Sequence, residues 1–169
     1  MLFNSIEFLL FFPAVVLLYY AIPGKLRVFW ILLTSYLFYM NWNPAYALLL
    51  LFSTAVTFLF GLLIGKRRTK EKAEAGRPIH QLSKVWVGVS FAVNLAILFF
   101  YKYFDFTVDN LNVIRGWMGL APVTPGFDVL LPVGISFYIF QALSYVVDVY
   151  RGDVRMETNF IKYAAFVSF

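Results

Sequence analysis

The sequence contains no cysteine and a single histidine, His80. Disulfides, thiol catalysis and cysteine-ligated metals are therefore excluded. One histidine in a polar stretch beside Pro78, with no neighbouring carboxylate, makes neither a metal cluster nor a nucleophile–His–carboxylate set. Charge is scarce too: 14% of the 169 residues are charged against 62% hydrophobic, and mean hydropathy is +0.77. Soluble domains average about 25% charged and 45–50% apolar residues, so the composition is that of a membrane protein. No Lys or Arg precedes Lys25, Glu7 stands where a leader would be basic, and no small-x-small cleavage site follows. The first apolar segment is thus expected to stay as an anchor rather than be removed as a signal peptide. No glycine loop of the Walker or dinucleotide type is present.

What is abundant is aromatic and apolar: 21% aromatic, with 20 Phe and 11 Tyr. The pattern predicts an all-α polytopic transmembrane protein, with spans over residues 6–22, 26–42, 45–64, 85–101 and 131–150. The first contains Pro13 and ends at Pro23-Gly24; Trp30 and Trp42 flank the second as interface anchors. Pro44 suits the start of the third, which carries no charge from Ala45 to Ile64. Gly61 and Gly65 there form a GxxxG pair. They permit either a close helix contact or a simple helix end, and the charged run that follows favours the helix end at Gly65. In the fourth span, Gly88, Ala92 and Ala96 form a stripe over which another helix could approach, and Asn94 is placed for an interhelical hydrogen bond. Residues 103–130 carry Asp105, Asp109, Arg115, Pro122 and Pro125. Their apolar positions recur every three or four residues, which predicts a short helix in the membrane interface.

The basic loop 65–84 holds seven cations, Lys66, Arg67, Arg68, Lys70, Lys72, Arg77 and Lys84, against Glu71 and Glu74. Its +5 equals the net charge of the chain. Nucleic-acid binding is the weaker reading; a cytoplasmic loop obeying the positive-inside rule is the stronger. Alternation then puts the N-terminus outside, the Asn41–Pro44 turn and residues 103–130 outside, and the Arg151–Lys162 region inside.

The fifth span, Leu131–Gly152, is the most polar. Gln141, Ser144 and Asp148 fall within roughly 60° of one another on a helix; Tyr145, Tyr138 and Gly134 widen that arc on one side and Arg151 on the other. Intramembrane polar residues usually face a protein interior or a water-filled cavity, so the stripe is expected to look inward, within a cage of the other helices. Gln141, Ser144, Tyr145, Asp148 and Arg151 are candidates for lining or supporting a tunnel. A structural role, in which Asp148 pairs with Arg151 at i, i+3, is favoured for those two. The residues alone do not choose between an enzyme, a transporter or flippase of polymer precursors, and a non-catalytic subunit of polysaccharide export. No inverted repeat is visible to support transport.

The motif LPVGISFYIFQALSYVVDVYRG closely resembles one in the membrane-bound O-acyltransferases, in their bacterial alginate O-acetyltransferase-like branch. So do MLFNSIEFLLFFPAVVLLYYAIP, SYLFYMNWNPAYALLLLFS and YKYFDFTVDNLN, in the same order. The resemblance implies about five membrane helices plus an interfacial helix, forming the N-terminal part of a larger helical cage in the bacterial cytoplasmic membrane. It implies transfer of an acyl group, usually acetyl, from a cytoplasmic donor such as acetyl-CoA or another acyl thioester to hydroxyls of an extracytoplasmic polysaccharide. The lipid bilayer, that donor, that acceptor and extracytoplasmic acetylation proteins are the implied partners; nucleic acid is not. The family's catalytic histidine belongs to a later membrane helix, and His80 does not match its motif. The chain is therefore expected to hold no catalytic residue and no metal, and to be inactive alone.

Overall fold

Local chemistry sets most of the helix ends. Ser5 accepts a hydrogen bond from the Phe8 amide (3.2 Å) and starts α1, Ile6–Ala21, which stops before Pro23. After the Pro23–Leu26 turn comes α2, Arg27–Trp42. A single extended residue, Asn43, then joins two helices. It ends α2, and its side chain accepts from the Ala45 amide (2.9 Å), starting α3, Pro44–Ala73, with proline at the first helical position. Helix α4 covers Gln81–Trp117, α5 covers Ile135–Arg151, and α6, Phe160–Ser168, is capped by the Asn159 side chain. The computed structural model describes residues 5–73, 81–124 and 134–169, and among them these six helices form with no strand. His80 and Pro132 lie outside the described residues, as does the Trp42 side chain.

Two helices run further than the charge pattern predicts. α3 does not end at Gly65 but continues through Lys66, Arg67 and Arg68 to Ala73. α4 does not end near Tyr101; the expected separate interfacial helix is instead the continuation of α4 to Trp117. The physical reason is the same in both. No proline intervenes in either, and in α3 the charged residues Lys, Arg and Glu are themselves good helix formers, so a charge marks where a bilayer ends rather than where a helix ends. α4 finally stops where Gly119 adopts φ +69 and the Leu120 amide bonds back to the Arg115 carbonyl (2.9 Å). The following turn is tied down by Asn112, which exchanges two hydrogen bonds with the Val123 backbone (2.7 and 3.0 Å).

α3 and α4 alone among the described helices are long and apolar enough to cross a membrane, over Pro44–Thr69 and Ser83–Trp117; α1 is a shorter apolar helix of 16 residues. That is fewer than the five spans expected. α2 and α5 have 16 and 17 residues, at or below the lower limit of about 17 for a span. The composition and these helices together make the chain a helical membrane protein.

α5 sits at the centre, packed on α3, α4 and α6. Its Ile135, Ile139, Ala142, Leu143, Val146 and Val149 are buried against Leu50 and Ile64 of α3 and Tyr163 and Val167 of α6. A second set of contacts is polar. Ser53 of α3 donates to the Asn94 side-chain carbonyl of α4, and the Asn94 amide donates to the Ser90 carbonyl, all fully buried. This is the interhelical bond that Asn94 was expected to make. Trp30 of α2 donates its indole N–H to the Val15 carbonyl of α1 (3.1 Å). Gly88 has nothing within 4 Å of where a Cβ would stand, and Ala92 and Ala96 are exposed, so among the described residues no helix covers the small-residue stripe on α4.

Candidate functional site

The polar arc of α5 is divided by the packing. Tyr138 and Tyr145 are buried, while Gln141 and Asp148 are half-buried and Ser144 and Arg151 are exposed. Among the described residues, the apolar arc and the two tyrosines of the stripe face the neighbouring helices, while its remaining polar residues are half-buried or exposed. Ser144 and Arg151 remain on the open side of α5, together with Phe137 and Phe140.

Tyr145 anchors the site because α3 gives it room. A Cβ on Gly61 would stand 2.6 Å from the Tyr145 ring, and one on Gly65 2.5 Å from the Met156 side chain. The GxxxG pair is thus a close-contact surface in mid-helix, not a helix end. The Tyr145 ring lies 4.6 Å from that of Tyr163, whose hydroxyl donates to Thr57 of α3 (2.8 Å). The Tyr145 hydroxyl accepts from the Glu157 amide (2.8 Å), leaving its own proton free to donate.

Around this ring is a cavity of about 320 Å³, lined by Tyr145, Asp148, Val154, Glu157, Lys162, Tyr163 and Phe166. One Glu157 oxygen accepts from the Thr158 and Asn159 amides (2.9 and 2.8 Å), which shapes the entry to α6. Gln141 donates to the Phe166 carbonyl (2.7 Å) and ties α5 to α6 beside the cavity. Two carboxylates, one ammonium and a phenol could hold a polar group by hydrogen bonds over an aromatic floor. Nothing here is a nucleophile paired with a base, and no group of three metal-ligating side chains occurs among the described residues.

Of the predicted site residues, the structure brings Tyr145 and Asp148 into the cavity wall and Gln141 beside it. Ser144 bonds to the Gln141 carbonyl of its own helix (2.9 Å). Arg151 is exposed, lines no part of the cavity, and forms no ion pair with Asp148. The expected pairing is thus absent. Glu157, Lys162, Tyr163 and Phe166 were not singled out from sequence. The signal for them was Asn159: a helix cap there turns the next apolar run back onto α5. Arg68 was counted only as charge, yet it donates to the Tyr150 carbonyl at the end of α5 (2.7 Å).

A larger hollow, about 630 Å³, runs along α4 past Ala92, Ala96, Phe99 and Tyr103. It is almost wholly apolar, and every residue lining it belongs to that one helix, so it is helix surface rather than a built site.

No family model matches the chain, and no solved structure matches it. Among curated proteins, it is 39% identical over 169 residues to a protein of Pseudomonas putida named as a probable alginate O-acetylase, covering 99% of this chain and 33% of that protein. A protein of the same name from Azotobacter vinelandii is 37% identical over 169 residues, covering 99% and 32%. A peptidoglycan O-acetyltransferase of Helicobacter pylori is 27% identical over 164 residues, covering 83% and 28%. The chain spans about a third of the length of the curated relatives it matches.

Proposed function

We propose that this chain, a member of the alginate O-acetylase-like branch of the membrane-bound O-acyltransferases, is part of an enzyme that acetylates an extracytoplasmic polysaccharide. The single observation that carries the reading is identity of 37–39% along 99% of the chain to proteins named as alginate O-acetylases. The substrate class is a polymer hydroxyl, and the donor a cytoplasmic acyl thioester such as acetyl-CoA. The acceptor oxygen forms a bond to the thioester carbonyl carbon, the carbon–sulfur bond breaks, and the hydroxyl proton ends on the departing thiol. A base near neutral pH would serve that proton transfer. In this reading that base is a histidine elsewhere in the full protein.

In this reading the enzyme resides in the bacterial cytoplasmic membrane with its N-terminus outside. The +5 basic stretch 65–84, which begins in the last turns of α3, faces the cytoplasm, as the positive-inside rule requires. The Tyr145–Asp148 cavity then lies toward the cytoplasmic end of α5. Gln141, Ser144, Tyr145, Asp148 and Arg151 shape and support a tunnel wall rather than perform the chemistry. Extracytoplasmic acetylation proteins would be the partners on the far side.

The test is deletion of the full-length gene, followed by mass spectrometry of the exopolysaccharide and cell wall. Loss of O-acetyl groups, restored by the wild-type gene, is the expected outcome. Unchanged acetylation of every envelope polymer would refute the reading.

A further inference from the structure

The seven cations of the basic stretch are not equivalent. Lys66 and Arg67 are exposed, whereas Arg68 turns onto α5. Its Nη1 donates to the Tyr150 carbonyl at 2.7 Å and lies 3.5 Å from the Val149 carbonyl. These are two of the four carbonyls that the end of a helix leaves without an intrahelical partner. A third, that of Asp148, is taken by the amides of Gly152 (2.7 Å) and Asp153 (3.0 Å). The guanidinium lies against Gly152 so closely that no Cβ could stand there, and Gly152 is also in the left-handed region, φ +84. Positive charge at a helix C-terminus complements its dipole.

From Gly152 the chain runs as a strap to α6. Arg68 holds its start, Gly65 receives Met156, and the Tyr145 hydroxyl receives the Glu157 amide. Gly65 and Arg68 are one helical turn apart on α3. The strap supplies Val154 and Glu157 to the cavity, and Tyr145 and Asp148 come from the helix end that Arg68 caps. Bulk positive charge at this membrane face needs only a cation. Both carbonyl contacts come from Nη1, while the rest of the planar guanidinium packs against Gly152, a shape that lysine's compact ammonium lacks.

We propose that Arg68 is a positioning residue: it clamps the last turn of α5 and the strap, and so fixes the shape of the Tyr145–Asp148 cavity. Its effect on acetyl transfer rests on the function proposed above; the clamp itself does not.

The full-length protein tests both, as wild type, Arg68→Lys, Arg68→Ala and Lys66→Ala. Polymer O-acetylation is measured at matched membrane abundance, with and without added guanidinium. In parallel, a spin label on Asp153→Cys reports strap mobility, in a background with cysteines elsewhere replaced. Both Arg68 variants are expected to lose acetylation about tenfold and to mobilise the label, as for loss of a charge-assisted hydrogen bond. Guanidinium restores Arg68→Ala, and Lys66→Ala behaves as wild type. Where Arg68→Ala fails to accumulate, Arg68→Lys, which keeps the charge, carries the comparison. A label as immobile in the Arg68 variants as in wild type, or full activity in Arg68→Lys, overturns the proposal. A wild-type protein that acetylates nothing refutes the function instead, and the label still decides the clamp.

Discussion

Gly61 of α3 packs directly against the Tyr145 ring of α5, and Gly61→Ala perturbs that point alone. The added Cβ would stand 2.6 Å from the ring, whereas carbon atoms in contact sit about 3.5–4.0 Å apart. The ring must therefore retreat by about 1 Å. Retreat is obstructed on two sides, by the Tyr163 ring at 4.6 Å and by the Glu157 amide bonded to the hydroxyl at 2.8 Å. Overpacking of this kind costs about 1–3 kcal/mol, and loss of the Glu157 bond adds about 0.5–1.5 kcal/mol. Alanine in place of glycine in a helix returns up to about 1 kcal/mol. The net expectation is a destabilisation of about 1–3 kcal/mol, read as a lower Tm of the purified full-length protein in detergent. Gly88→Ala, where no atom lies within 4 Å of the new Cβ, is the matched control and is expected to be neutral or slightly stabilising. Tyr145→Leu completes a double-mutant cycle, and removing the ring should relieve most of the Gly61→Ala cost, a coupling of about 0.5 kcal/mol or more. If Gly61→Ala is tolerated as well as Gly88→Ala, or if the two substitutions are strictly additive, the close approach of α3 and α5 does not hold this site together.

Three further outcomes are expected. Gly65→Ala meets Met156 rather than a packed ring, and a flexible thioether can move aside; its Tm loss should be smaller than that of Gly61→Ala and should disappear in combination with Met156→Ala. Asn94→Leu leaves the buried Ser53 hydroxyl without its acceptor, lowering stability by about 0.6–2 kcal/mol, whereas Asn94→Leu combined with Ser53→Ala should recover part of that loss in the same melting assay. A reporter active only outside the cell, fused after Ala73, should be inactive, and strong activity there would reverse the orientation assigned to the whole chain.

Periodicity and charge located the helices but misjudged where two of them end. Lys66, Arg67 and Arg68 signal the edge of a bilayer, yet they extend α3 without a break, and Lys102 and Asp105 do the same in α4. Where backbone chemistry was explicit, the boundaries were legible: Pro23 after α1, Asn43-Pro44 between α2 and α3, and Gly152 after α5. The site was half legible. Polar residues on a spanning segment marked α5, and Tyr145 and Asp148 do line a cavity. Glu157, Lys162 and Tyr163 lie on a strap and a short helix whose return onto α5 depends on contacts far apart in sequence. Asn159 marks where that short helix starts, but no local pattern says which helix it packs on.

The sequence by itself determined the membrane class, the all-helical architecture and the choice of α5 as the organising helix. Each follows from composition, from the period of apolar residues, or from motifs that are contiguous in the chain. Only the tertiary structure decided which arc of α5 is buried, because that depends on the apolar faces α3, α4 and α6 offer to it. It also decided what Gly65 and Arg68 do. A glycine before a charged run, and an arginine within it, look like a helix end and a topology signal. Folded, they are a seat for Met156 and a cap on α5, since a close approach and a guanidinium's reach are properties of two helices together.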